Sequence, residues 1–136
     1  MPSTGVDTRI DNVTALIVDD EEDMRLLVRS YLGRAGLRVV EEAIDGPDAL
    51  EVLTRLDPPP VPTVIVLDNW MPMMSGLEVA ARVLACVPNQ FIVLFTAYLT
   101  PEIEAQAAEL GVSACVKKTD IEHLPAVIAA LLSAGP

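Results

Sequence analysis

Thr63-Val64-Ile65-Val66-Leu67-Asp68 is an unbroken apolar run that ends in a carboxylate, and it has an upstream counterpart in Ala15-Leu16-Ile17-Val18, which is followed by Asp19 and Asp20. Short runs of this kind, without polar alternation, suit strands buried on both faces of a parallel sheet. Ligands of such sheets gather in the crevice outside the carboxyl ends of the strands, so Asp19, Asp20 and Asp68 can converge on one site. Three adjacent anions repel one another unless a hard cation such as Mg²⁺ shares them, and oxygen ligands suit that ion.

Outward from these two strands the chain alternates between strand and helix signals. Met24, Leu27, Val28, Tyr31, Leu32 and Ala35 recur at the spacing of one helical face, with Asp20 as the expected cap and Gly36 as the stop, leaving Leu26 pointing outward. A short strand is expected from Arg38 to Ala43. Asp45-Gly46-Pro47 then opens a second helix, which Asp57-Pro58-Pro59-Pro60 ends. Ser75-Gly76-Leu77-Glu78 reads as a capping box opening a third helix through Ala85. The apolar run from Phe91 to Phe95 leads into Thr96-Ala97, and Thr100-Pro101 caps a helix that Gly111 stops. Val112 to Val116 precede Lys117 and Lys118, and a last helix is expected from Asp120 to Leu132. Five βα units with right-handed crossovers give a single doubly wound α/β domain, a five-stranded parallel sheet with helices on both faces, over residues 13–133. Residues 1–12 read as a flexible lead-in.

A chain of 136 residues fits one domain. Hydrophobic content of 51% with only 4% aromatic residues points to an aliphatic core, as buried parallel strands favour. The apolar runs are too short to cross a bilayer, and a soluble cytoplasmic protein without a membrane role is expected. A net charge of -11 disfavours direct binding to nucleic acid. Cys86 and Cys115 lack paired spacing and are expected to be reduced, buried thiols; His123 is expected to be solvated or capping.

The order of these elements resembles the receiver domain of two-component response regulators. That family carries an acidic pair after the first strand, an Asp-x-x-Met-Pro-x-Met-x-Gly segment after the third, Thr or Ser followed by Ala after the fourth, and Lys after the fifth. All four occur here, the second as Asp68-Asn69-Trp70-Met71-Pro72-Met73-Met74-Ser75-Gly76. The resemblance implies the flavodoxin-like strand order 2-1-3-4-5. It makes Asp68 the phosphoacceptor, with Thr96 and Lys118 binding phosphoryl oxygens, and Mg²⁺ held by Asp20, Asp19 through water, Asp68 and the backbone carbonyl of Trp70. It also implies a sensor histidine kinase or histidine phosphotransfer protein as donor and a downstream protein target, in a monomer or weak homodimer. No output domain is recognised after the receiver unit, so a single-domain regulator acting by protein binding or phosphorelay is expected, with no enzymatic activity beyond its own phosphorylation and dephosphorylation.

Two departures bear on the output step. The family's Lys-Pro is Lys118-Thr119 here, which leaves Lys117 as a second candidate, and its aromatic switch residue is Cys115. They keep open an alternative, a pseudo-receiver acting only as a protein-interaction module. A phosphatase with an aspartyl nucleophile normally has a second Asp where this chain has Trp70, and a dinucleotide site needs a Gly-x-Gly-x-x-Gly turn absent after the first strand.

Overall fold

Residues 13–56 and 62–134 are described by the computed structural model; the expected lead-in at residues 1–12 and the Pro58–Pro60 connection lie outside them. The apolar runs form β1 (Thr14–Val18), β2 (Arg38–Ala43), β3 (Val64–Leu67), β4 (Phe91–Thr96) and β5 (Ala114–Lys117). They pair in parallel in the order β2-β1-β3-β4-β5, so β2 and β5 are the edges. The flavodoxin-like order is therefore observed. Between the strands run α1 (Glu22–Arg34), α2 (Gly46–Arg55), α3 (Gly76–Cys86) and α4 (Pro101–Leu110), and α5 (Leu124–Ala134) follows β5 after a 3-10 segment, Lys118–His123. Among the described residues no helix is long and apolar enough to cross a membrane.

Side chains alternate between the faces of a strand, and the core divides accordingly. Leu16, Val18, Ile65, Leu67, Ile92 and Leu94 pack against α2, α3 and α4. Ala15, Ile17, Val64, Val66, Val93 and Phe95 face the other way, against Val28 and Leu32 of α1 and Leu124 and Ile128 of α5. At the amino ends of β3 and β4, the buried Gln90 amide donates to the carbonyls of Pro62, Thr63 and Phe91 at 3.1, 3.1 and 3.2 Å. Glu42, on edge strand β2, is clasped by Arg25 and Arg29 of α1 at 3.1 and 2.6 Å.

Local signals place most helix ends. Asp45 accepts from Asp48 N–H with Pro47 in the first turn, Thr100 accepts from Ile103 N–H, and Ser75 and Glu78 form the reciprocal capping box. Gly36 and Gly111 have φ of 100° and 97°, a left-handed conformation that L side chains avoid.

Four expectations need correction. Asp20 does not cap α1: Glu21 is the N-cap residue and makes no side-chain cap, while Asp19 Oδ1 takes the Glu21 N–H at 2.9 Å. Leu27 is 42% exposed, because only Val28 and Leu32 of α1 are fully covered and Leu27 lies at the margin of that stripe. Cys86 is exposed at the end of α3, off the buried stripe of Val79, Ala80, Val83 and Leu84. The last helix is not continuous from Asp120. Pro125 has no N–H to give to Ile121, so the α-helix can start no more than about a turn before it, and the preceding residues tighten into the 3-10 segment with Asp120 outside helical geometry.

Candidate functional site

Four strand ends meet at the carboxyl edge of the sheet. Asp19 directly follows β1 and Asp68 directly follows β3; both side chains are buried, whereas Asp20 is exposed. Asp68 N–H donates to Val18 O at 2.9 Å and Asp19 N–H to Ala43 O at 3.1 Å, which fixes both residues to the ends of the sheet. Thr96 closes β4, and Lys118 follows β5.

Lys118, rather than Lys117, reaches the carboxylates. Its Nζ lies 2.8 Å from Asp19 Oδ2, 3.4 Å from Asp68 Oδ2 and 3.5 Å from Glu21 Oε1, with its side chain 9% exposed. Lys117, the register partner of Thr96, is exposed at the end of β5. The one-residue difference reverses side-chain direction at a strand end, which separates the two lysines.

The electrostatics follow from burial and from this one ammonium. Desolvation pushes the Asp68 carboxyl above the ordinary carboxylate range; Lys118 works against that, Asp19 adds to it, and the Trp70 N–H at 3.4 Å from Asp68 Oδ1 opposes it. For Lys118, desolvation favours the neutral amine, but the contacts with Asp19 and Asp68 outweigh it and raise the pKa, so the ammonium stays charged. Thr96 Oγ1 is fully buried without a hydrogen-bond partner among the described residues, as is Asp19 Oδ2 apart from its ion pair with Lys118. An unpartnered buried hydroxyl costs about 1–3 kcal/mol, and such groups mark places where a ligand completes the bonding.

The loop after Asp68 is shaped by close contacts. Gly76 N–H donates to Asn69 O at 3.0 Å and Leu77 N–H to Asn69 Oδ1 at 3.0 Å, drawing the start of α3 onto the loop after Asp68. A Cβ on Gly76 would stand 2.3 Å from Asp68 O, so only glycine permits this approach. Met73, at φ 73° and 80% exposed, turns the chain between Pro72 and the Ser75 cap. Trp70 and Tyr98 project at the mouth, 55% and 72% exposed, and the Trp70 indole Nε1 donates to Tyr98 O at 3.2 Å.

The carboxylate oxygens of Asp19, Asp20 and Glu21 can lie within 4.8 Å of one another. This all-oxygen donor set, to which the buried Asp19 carboxylate contributes, fits a hard divalent cation. Asp68 is not part of that trio. Glu21 was not singled out by the sequence reading, although an acidic residue after an acidic pair at a helix start was its available signal. Asn69, whose side chain anchors α3, was likewise passed over. Cys115 is half-buried beneath α4, its thiol pKa raised by burial and by Glu104, and His123 is exposed beside Glu122.

Known proteins share this sequence pattern and fold. Residues 15–129 match the family model of the response regulator receiver domain. The response regulator protein VraR of Staphylococcus saprophyticus subsp. saprophyticus is 32% identical over 108 residues, 79% of this chain and 50% of that protein. The chemotaxis protein CheY of Thermotoga maritima is 29% identical over 96 residues, 71% of this chain and 77% of that protein. The signal receiver domain of the response regulator NarL from Mycobacterium tuberculosis superposes with a TM-score of 0.75 at 30% identity, covering 89% of this chain and 98% of that one. The chain spans between 23% and 50% of the length of the first curated relatives it matches, one of them a protein-glutamate methylesterase/protein-glutamine glutaminase of Hahella chejuensis. With the family model matched over most of its length and the strand order and acidic edge in place, the chain belongs to the response regulator receiver domains, signalling modules of two-component systems.

Proposed function

We propose that this chain accepts a phosphoryl group on Asp68 from a sensor histidine kinase or a histidine phosphotransfer protein, and signals in the cytoplasm by altered protein binding or by onward transfer. One observation carries the reading: a buried carboxylate at a strand end has an ammonium 3.4 Å away and, one strand over, a buried hydroxyl with no partner among the described residues. An arriving phosphoryl group offers oxygens to both.

In the transfer, an Asp68 oxygen attacks phosphorus, the P–N bond to the donor imidazole breaks with its electron pair left on nitrogen, and an acyl phosphate O–P bond forms. Lys118 pairs with one phosphoryl oxygen as a point charge, and the Thr96 hydroxyl donates to another. Before transfer, Lys118 offsets part of the burial effect and so favours the ionised, nucleophilic form of Asp68. Asp20, and Asp19 through water, would hold Mg²⁺, with Asp68 and the Trp70 carbonyl as the further ligands the family resemblance implies; when bound, the ion supplies positive charge against the repulsion between carboxylates and phosphate.

The test is intact-mass analysis after incubation with acetyl phosphate, with and without Mg²⁺. Wild type should gain the mass of one phosphoryl group in Mg²⁺ only, and Asp68→Asn should gain none. Labelling of Asp68→Asn to the wild-type level refutes the assignment, and a wild type that never takes the group leaves the interaction-module reading.

A further inference from the structure

Glu21 stands at the N-cap of α1, where a short polar side chain normally accepts a helix amide. It caps nothing. Its backbone is held by the N–H bond to Asp19 Oδ1, and its carboxylate lies 3.5 Å from Lys118 Nζ. One ammonium is thus shared among two buried carboxylates, Asp19 and Asp68 at 3% and 4% exposure, and a solvent-facing one, Glu21 at 67%. Asp19 is also a member of the carboxylate trio with Asp20 and Glu21. Its Oδ2, the atom that Lys118 touches, is buried and accepts no aligned hydrogen bond. Lys118 and a divalent cation therefore compete for the Asp19 carboxylate.

We propose that Glu21 is a positioning residue for Lys118, giving the ammonium an alternative carboxylate so that Asp19 is released to a divalent cation while Lys118 stays beside Asp68. The inference rests on reading the acidic edge as a cation site. Without Glu21, moving the ammonium off Asp19 would leave it beside Asp68 alone. With it, the ammonium keeps a counter-charge on each side. Because Glu21 is exposed, the contact is weak and adjustable, and its removal should weaken cation binding about two- to fivefold rather than abolish it.

The experiment is a Mg²⁺ titration followed by the fluorescence of Trp70, the single tryptophan, two residues from Asp68. Wild type, Glu21→Gln, Lys118→Met and the double variant form a cycle in which the general loss of negative charge is common to both backgrounds. The Glu21→Gln penalty should be at least halved when Lys118 is Met, since no ammonium then needs relocating. Equal penalties in the two backgrounds overturn the proposal and make Glu21 a direct or purely electrostatic contributor. Glu21→Asp gives a second reading that does not depend on Lys118→Met folding: it keeps the charge but withdraws the oxygens, and should weaken binding as Glu21→Gln does. Wild-type affinity for Glu21→Asp overturns the proposal while leaving the cation site intact. A wild type that binds no Mg²⁺ removes the cation site itself, and the proposal with it.

Discussion

Replacing Gly76 with alanine is the most direct test of how α3 shapes the loop after Asp68. Gly76 lies at the first position of α3 with a Cβ-to-be 2.3 Å from Asp68 O and 2.9 Å from Asn69 Cα. Carbon atoms normally approach no closer than about 3.5 Å, so the loop or the helix must shift by roughly 1 Å. The obstructing atoms are backbone, with no flexible side chain to step aside. Overpacking of this kind costs about 1–3 kcal/mol, or some 3–12 °C in Tm for a chain of this size. A displacement of that size at Asp68 should also slow phosphorylation by acetyl phosphate by about 100-fold. Gly33→Ala is the control. Gly33 is exposed in α1, and among the described residues nothing beyond its chain neighbours and its own helix backbone lies within 4 Å of its Cβ position, so the same substitution should stabilise by roughly 0.5–1 kcal/mol. Both changes remove the same freedom from the unfolded chain, so their opposite signs in urea unfolding isolate the contact. If Gly76→Ala matches wild type in midpoint and in phosphorylation rate, the close-approach argument is wrong.

Three further outcomes are expected. Because the Asp68 pKa is raised above 3.8, the reactive carboxylate is lost on acidification before an ordinary one would be, and Lys118→Ala should move the acid limb of the phosphorylation rate to still higher pH; a limb that stays put or moves lower counts against the Lys118–Asp68 coupling. The rings of Trp70 and Tyr98 stand at the mouth and cannot orient water as an amide or carboxylate can, so Trp70→Asn and Tyr98→Glu should speed decay of the phosphorylated protein by roughly tenfold, or 1.4 kcal/mol of barrier; unchanged decay excludes steric protection. Leu26, 65% exposed on α1, should contribute to docking the phosphodonor, so Leu26→Asp should slow transfer from the cognate kinase but not from acetyl phosphate, and an equal fall in both means that it serves the fold instead.

The strands were legible because β1 and β3 are buried on both faces, and continuous aliphatic runs ending in Asp have few other uses. Ser75, Thr100 and Asp45 were legible for a different reason: capping is local, so the residue and its partner lie within three positions. The choice between Lys117 and Lys118 was not. It depends on where β5 stops, a matter of register with β4 rather than of local composition. Glu21 escaped notice because its partner, Lys118, is distant in sequence and joins it only when α1 and β5 close on the same edge. Leu27 and Cys86 were assigned from the idea that apolar residues in a helix are covered, but the covered stripe of a helix on a sheet is narrow, and residues at its margin meet water. The break before α5 could have been read from Pro125, whose missing N–H limits how far upstream the α-helix reaches.

The two edges of the sheet bear on how copies of this chain meet. An unpaired strand edge is a template for adding a strand from another molecule, and charged residues are a common defence. Here β2 places Glu41 and Glu42 on opposite faces of its edge strand, the second clasped by Arg25 and Arg29, and β5 is only four residues long and ends in exposed Lys117. Two copies docking through β2 would set like carboxylates against one another, and through β5 would gain few hydrogen bonds before reaching a cation. Edge-to-edge growth into fibrils or swapped sheets is thereby disfavoured, and any self-association is steered to the helical faces.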